Sequence, residues 1–192
     1  MFELDAPRAR NIRVLEMEPA HTYVMAIDVR SMTPDDFPWV IALNQQHVPA
    51  VSDAEGERFT YLFERSAIAL TSWVDDAPAG FSLTMTHGLH YDSSNYQWFS
   101  DNYDQFIYLD RVVVDESFHR HGVGRALYVE TERLGLLKVP DAEVFGLEVN
   151  VEPRNDVSLS FHERLGFTEL VQRPTPYGIV VAMMGKSLTP QA

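Results

Sequence analysis

The stretch IYLDRVVVDESFHRHGVGRAL, residues 107–127, decides how this chain is read. Its first eight residues, 107–114, are mostly apolar and rich in β-branched and aromatic side chains, which predicts a strand. Asp115, Glu116 and Ser117 make a polar turn. His119-Arg120-His121-Gly122-Val123-Gly124 then runs into Arg125-Ala126-Leu127-Tyr128, where apolar positions at 123, 126, 127 and 134 predict a helix. The first turn of a helix leaves backbone N–H groups without partners and carries the positive end of its dipole. Glycines let a phosphate approach that backbone closely. Arg120 and Arg125 add positive charge in a chain whose net charge is −13. On the glycines alone, a tight turn without a ligand stays open as the alternative.

Two phosphate loops are excluded. No Gly-Lys-Ser/Thr is present, and the third glycine of a dinucleotide fingerprint is replaced by Leu127. The stretch resembles the acyl-CoA pyrophosphate loop of the GNAT acetyltransferases, a strand, then Arg/Gln-x-x-Gly-x-Gly/Ala, then a helix. Gly122 and Gly124 fit, and His119 stands where Arg or Gln is usual. A second block, residues 155–167, resembles the family's Asn-x-x-Ala segment ending in Gly-Phe. Asn155, Gly166 and Phe167 fit, Ser158 replaces Ala, and His162 replaces the common Tyr. The resemblance covers residues 23–188. It implies an α/β (α+β) chain with the GNAT acyl-CoA N-acyltransferase fold, a mixed, mostly antiparallel central sheet flanked by helices and splayed between the fourth and fifth strands. Residues 1–22 are then an N-terminal extension and residues 189–192 a tail.

Composition narrows the function classes. A chain of 192 residues is expected to form one domain. It has no cysteine, which excludes disulfides, a thiol nucleophile and thiolate metal sites. Its acidity argues against nucleic acid as a partner and is compatible with a cationic substrate. No apolar run approaches the ~20 residues of a membrane span, and no signal core is visible, so a cytoplasmic location without membrane association is expected.

In chain order, residues 23–30 read as the first strand. Thr33-Pro34-Asp35-Asp36 reads as a capping box opening a helix that ends near His47. The resemblance places this helix beside the acceptor, making Asn44 and His47 substrate contacts, with ordinary helix-end polar residues as the alternative. Residues 55–66 read as a second helix, and residues 67–74 and 79–86 as a hairpin. Residues 87–105, HGLHYDSSNYQWFSDNYDQ, read as a long irregular connection, with three readings open: a lid or acceptor-site wall carrying Tyr91 and Tyr96, a subunit contact, or an inert loop. His87 and His90 lack a third ligand at suitable spacing, so no metal is expected. Residues 143–151 read as a strand, followed by the helix of Phe161 and His162 and by two strands at 167–173 and 178–188.

The resemblance implies direct transfer of an acyl group from acetyl-CoA to an amine. Backbone amides of residues 119–125, His121 and Val123 among them, would cradle the pyrophosphate. The backbone of Val112, Val113 and Val114 would pair with the pantetheine arm, and Asn155, Ser158 and Phe161 would border it. An alkylammonium must lose a proton before it attacks. Strict alternation puts Tyr108, Asp110, Val112 and Val114 on one face. Asp110 is the first candidate base and Glu148 the second, with Tyr108 near the acceptor; an ion pair is the alternative for Asp110. His162 is expected to protonate the leaving thiolate or donate to the sulfur, because an imidazole of pKa near 6.5 keeps a protonated fraction; simple packing beside the arm is its alternative. The acceptor expected is a small primary amine, and a homodimer is the assembly common for such folds. The rival reading is a non-catalytic acyl-CoA-binding or sensor protein with the same fold.

Overall fold

The computed structural model describes residues 25–188. Tyr23 and Val24, the extension 1–22 and the tail 189–192 lie outside the described residues. Strand β1 is Ile27–Ser31, shorter than the 23–30 reading. The capping box forms as expected, the Asp36 carboxylate accepting from the Thr33 N–H at 2.8 Å. One short 3-10 turn then leads into α1, Phe37–Gln46. Helix α2 is Gly56–Arg65, and the hairpin is β2, Ile68–Val74, with β3, Ala77–Thr86.

The 87–105 connection is not irregular throughout. It contains α3, Ser94–Asn102, capped by the Ser93 side chain, which accepts from the Tyr96 N–H at 3.2 Å. Buried Tyr96 and Phe99, three residues apart, give this helix an apolar stripe against the sheet. Strand β4 is Phe106–Val114, α4 is Val123–Lys138, β5 is Val144–Glu152, α5 is Asp156–Arg164, β6 is Thr168–Pro174 and β7 is Val180–Ser187.

The seven strands form one sheet in the order β1-β2-β3-β4-β5-β7-β6. Every pairing is antiparallel except β4 with β5. That parallel pairing covers only Phe106–Tyr108 against Val144–Gly146, after which the two strands part, as the expected splay requires. One face of the sheet packs on α1, α2 and α3 through Val40, Phe59, Leu62, Phe99 and Tyr108. The other packs on α4 and α5 through Val123, Ala126, Leu127, Tyr128 and Leu159.

Helix α3 reaches β5 at Gly146, where a Cβ would lie 2.3 Å from the Phe99 ring. The ring occupies the place a side chain would take. Replacing Gly146 by Ala is expected to destabilise the fold by about 1–3 kcal/mol through overpacking. Urea unfolding checks it, and an unchanged midpoint would remove the contact between α3 and β5.

Candidate active site

The site begins where the ladder stops. Beyond Tyr108 the β5-facing edge of β4 has no strand partner among the described residues. The opposite edge carries a β-bulge, since Leu83 pairs with Arg111 and Thr84 with Leu109, leaving Asp110 without a counterpart. The extra residue reverses the facing of everything after it. Tyr108 and Val113 lie in the α1–α3 core, whereas Val112 and Val114 pack on the α4 side. The expectation that Tyr108, Asp110, Val112 and Val114 share one face is therefore wrong, because strict alternation assumes an unbroken ladder.

The bulge sets up a buried ion pair. Arg111 donates from Nε to Asp110 at 2.9 Å, from Nη1 to the Asn44 side-chain oxygen at 3.0 Å, and from Nη2 to the Ser52 hydroxyl at 2.9 Å. Both charged side chains are almost fully buried, at 3% and 6% exposure. The Tyr91 hydroxyl donates to the other Asp110 oxygen. Burial, with the Asp110 charge beside it, pushes the Tyr91 phenol well above its ordinary value. Asp110 is thus held by two donors, and Asn44 is a fully buried strut for Arg111.

A cleft of about 680 Å³ opens between the diverging strands. Its walls come from residues 48–53 after α1, residues 91–95 leading into α3, the splayed parts of β4 and β5, the α5 residues Ser158 and His162, and the turn before β7. Asp53, Asp92, Asp110 and Glu148 line it against Arg58 and Arg111. Arg58 is itself paired with Asp92 at 3.1 Å.

Glu148 on β5 is the carboxylate that faces this space with an altered acidity. Burial pushes its pKa up to about 7; the Tyr108 hydroxyl, donating at 2.7 Å, pulls down, the Asp110 charge pushes up, and the Asn95 amide and Arg111 pull down. A carboxylate titrating near neutrality is half available as a base and half as an acid.

The opposite wall carries His162. Its Nδ1 lies 2.7 Å from the Ser158 carbonyl, which can only accept, so the ring proton sits on Nδ1. Nε2 is then the acceptor for the Tyr128 hydroxyl. Burial lowers the imidazole pKa to about 4. The sequence expectation of a partly protonated ring near 6.5 is corrected accordingly: His162 is neutral at neutral pH, with its one ring proton held by the Ser158 carbonyl and the Tyr128 O–H on its other nitrogen.

The glycine loop forms as expected. Gly122 caps α4 in the left-handed region, φ 82°, and offers no side chain to the first-turn amides of Val123, Gly124 and Arg125. A Cβ on Gly124 would sit 3.1 Å from the Phe161 ring. The cradle is thus open at its amides and closed at its floor, which suits a diphosphate. The His119 ring reaches back to the Val114 carbonyl, 3.0 Å away, and so occupies one group expected to meet the pantetheine arm. Asn155 caps α5 by accepting from the Ser158 N–H at 3.0 Å.

Of the expected site residues, Tyr91, Asp110, Val112, Glu148, Asn155, Ser158 and His162 line the cleft. Asn44, His47, Tyr96, Tyr108, Val113, Val114, Phe161 and the loop residues 119–125 do not: His47 bonds the Leu43 carbonyl at 2.9 Å, and the Tyr96 hydroxyl donates to the Thr86 carbonyl at 2.7 Å. Arg111, Tyr128, Asn95 and Tyr177 went unmarked in the sequence. Tyr128, one turn beyond Gly124 on the same helix, was the readable one. Among the described residues no group of three or more His, Asp or Glu is arranged to hold a metal ion. Nor is any described helix long and apolar enough to cross a membrane.

Residues 34–167 match the profile of the acetyltransferase (GNAT) family. The chain belongs to the GNAT acetyltransferase family. It is an acetyltransferase, and acetyl-CoA is the donor its family uses. Solved structures share the fold of this acetyltransferase. The ribosomal-protein-S18-alanine N-acetyltransferase of Escherichia coli is 20% identical with a TM-score of 0.63, covering 86% of this chain and 96% of that one. Ard1 of Thermoplasma volcanium is 19% identical with a TM-score of 0.68, covering 86% and 99%. The yncA acetyltransferase of Salmonella typhimurium, solved with acetyl-CoA, is 18% identical with a TM-score of 0.60, covering 87% and 96%. Among curated proteins none matches the acetyltransferase significantly.

The buried imidazole yields a test. With a folded pKa near 4 against about 6.5 unfolded, His162 binds fewer protons folded than unfolded between those values. Its contribution to stability is present above pH 6.5 and is lost as pH falls toward 4, by up to about 3 kcal/mol. NMR of the ring is expected to show the Nδ1–H neutral form down to about pH 5. An imidazolium at pH 6 would return His162 to the acid role.

Proposed function

We propose that this acetyltransferase transfers an acetyl group from acetyl-CoA directly to a small primary amine, with Glu148 as the general base. The observation that carries this is the Glu148 carboxylate, raised to about 7 and facing an acid-lined cleft at the mouth of the β4–β5 splay. The cleft's surplus of carboxylates favours an acceptor that arrives as an ammonium ion. Asp110, the first candidate from sequence, serves a different purpose: Arg111 and Tyr91 fix it, and its charge helps hold Glu148 near neutrality.

The amides of Val123, Gly124 and Arg125 would hold the donor's diphosphate, and the open edge of β4 around Val112 would take its pantetheine arm as an added strand. The donor supplies an activated thioester. Glu148 takes one proton from the ammonium, and the freed lone pair forms the new C–N bond; as the adduct collapses the C–S bond breaks, and the nitrogen gives up a second proton that ends on the departing sulfur. An amide near Val112 stabilises the oxyanion. That second proton passes by way of the Tyr128 hydroxyl, which turns its one O–H from His162 Nε2 to the thiolate and is reprotonated from the nitrogen. A titrating base has no use in a protein that only binds acyl-CoA, so Glu148 also speaks against the sensor reading.

Glu148→Gln is expected to lower kcat about 10²–10⁴-fold and to abolish the acid limb of kcat/KM near pH 7. The same variant is expected to gain stability over the native chain as pH rises. A carboxyl whose folded pKa is raised stabilises below its unfolded value, about 4.3, and loses that contribution as pH climbs through 7. Asp110→Asn is expected to keep most turnover and to move the acid limb to lower pH. Thiol release from acetyl-CoA across an amine panel, with thermal melts at pH 5 and pH 8, measures all three. Full activity in Glu148→Gln would end the assignment.

A further inference from the structure

Asn95 sits at the start of α3, 1% exposed, on the floor of the cleft beside Glu148. Its amide nitrogen is committed twice. It donates to the Tyr177 hydroxyl at 3.3 Å and supports the charged form of the Glu148 carboxylate. The ionised Glu148 carboxylate can only accept, so the nitrogen is the end of the amide that faces it. The oxygen, Oδ1, is then buried with no hydrogen-bond partner among the described residues. A buried carbonyl oxygen is normally paired, and the residue that carries this one lines the cleft where the acceptor must lie.

We infer that Asn95 Oδ1 is the receptor for an N–H of the acceptor's reacting nitrogen, and that it makes the site select amines over alcohols. The inference rests on the amine reading above and adds the residue that enforces it. An ammonium brings three N–H bonds on one nitrogen. One proton passes to Glu148, a second N–H is held by Asn95 Oδ1 and stays on the amide product, the third proton goes to the departing sulfur, and the lone pair left by the first is turned to the thioester carbon. An alcohol has a single O–H, which the base must take, so Asn95 Oδ1 stays buried and unpaired. Sites that lose a buried partner in this way discriminate strongly. Tyr177 holds the amide in register from the turn before β7, and the residue is 65% exposed, so its hydroxyl can be removed without disturbing the core.

The test uses the full chain, acetyl-CoA, and matched primary amines and alcohols of equal carbon skeleton, read by thiol release. Asn95→Leu is expected to raise the acceptor KM about tenfold or more and to narrow the preference for amine over alcohol, with acetyl-CoA affinity by calorimetry unchanged. Asn95→Asp keeps an oxygen acceptor; it should restore KM to within a few-fold and move the acid limb upward, because a second carboxylate then faces Glu148. Tyr177→Phe should shift KM in the same direction as Asn95→Leu by a smaller factor, which guards against a folding defect in the buried variants. An unchanged acceptor KM in both Asn95→Leu and Tyr177→Phe, with Glu148→Gln inactive, overturns the role of Asn95 and leaves the base in place. Full activity in Glu148→Gln removes the base reading instead. A native enzyme that acetylates no amine of the panel overturns both.

Discussion

Three residue pairs of parallel ladder hold β4 to β5, and the molecule's chemistry begins where they end. Among the described residues, parallel pairing is the only sheet contact between the β1–β4 half and the β5–β7 half. A longer ladder would seal the cleft and pair the Val112 edge with protein. A shorter one would loosen the junction on which Tyr108 and Glu148 meet. That hydrogen bond crosses from one half to the other at the last point where the strands are close, so the geometry of the base is tied to the geometry of the split.

The bulge at Asp110 is the second determinant, and it acts through desolvation. One unpaired residue brings the Arg111 guanidinium into the α1–α3 layer, where leaving it without partners would be costly. Asp110, Asn44 and Ser52 supply them. The same network places a fixed negative charge near Glu148 and draws the segment after α1 onto the strand. Acidity at the base and the position of the cleft wall therefore share one cause.

Most of the fold could be read from the chain because its signals were local. The capping box at Thr33, the hairpin over residues 67–86 and the strand, loop and helix around Gly122 each lie within a few residues of sequence. The helix at Ser94 was legible too, with Ser93 as cap and Tyr96, Phe99 and Tyr103 at helical spacing, but aromatic and short polar residues are weak helix formers and read as loop. What could not be read is tertiary. Sequence does not show where a ladder takes an extra residue, so the facing of Tyr108 relative to Val112 came out wrong. It does not show burial either, and burial makes His162 a neutral acceptor and Glu148 a carboxyl that titrates near 7. Asp110 and Glu148 were both visible as carboxylates; only their neighbours separate the fixed one from the available one.

The segment between α1 and α2 is tied down at two posts, His47 on the Leu43 carbonyl and Ser52 on Arg111. Of the four residues between them, Val48, Pro49 and Ala50 are exposed at the rim of the cleft. A span anchored at both ends can change its middle without moving its ends. Evolution or design can thus resize the entrance by exchanging these three side chains, retuning which acceptor enters while the buried charges behind them stay as they are.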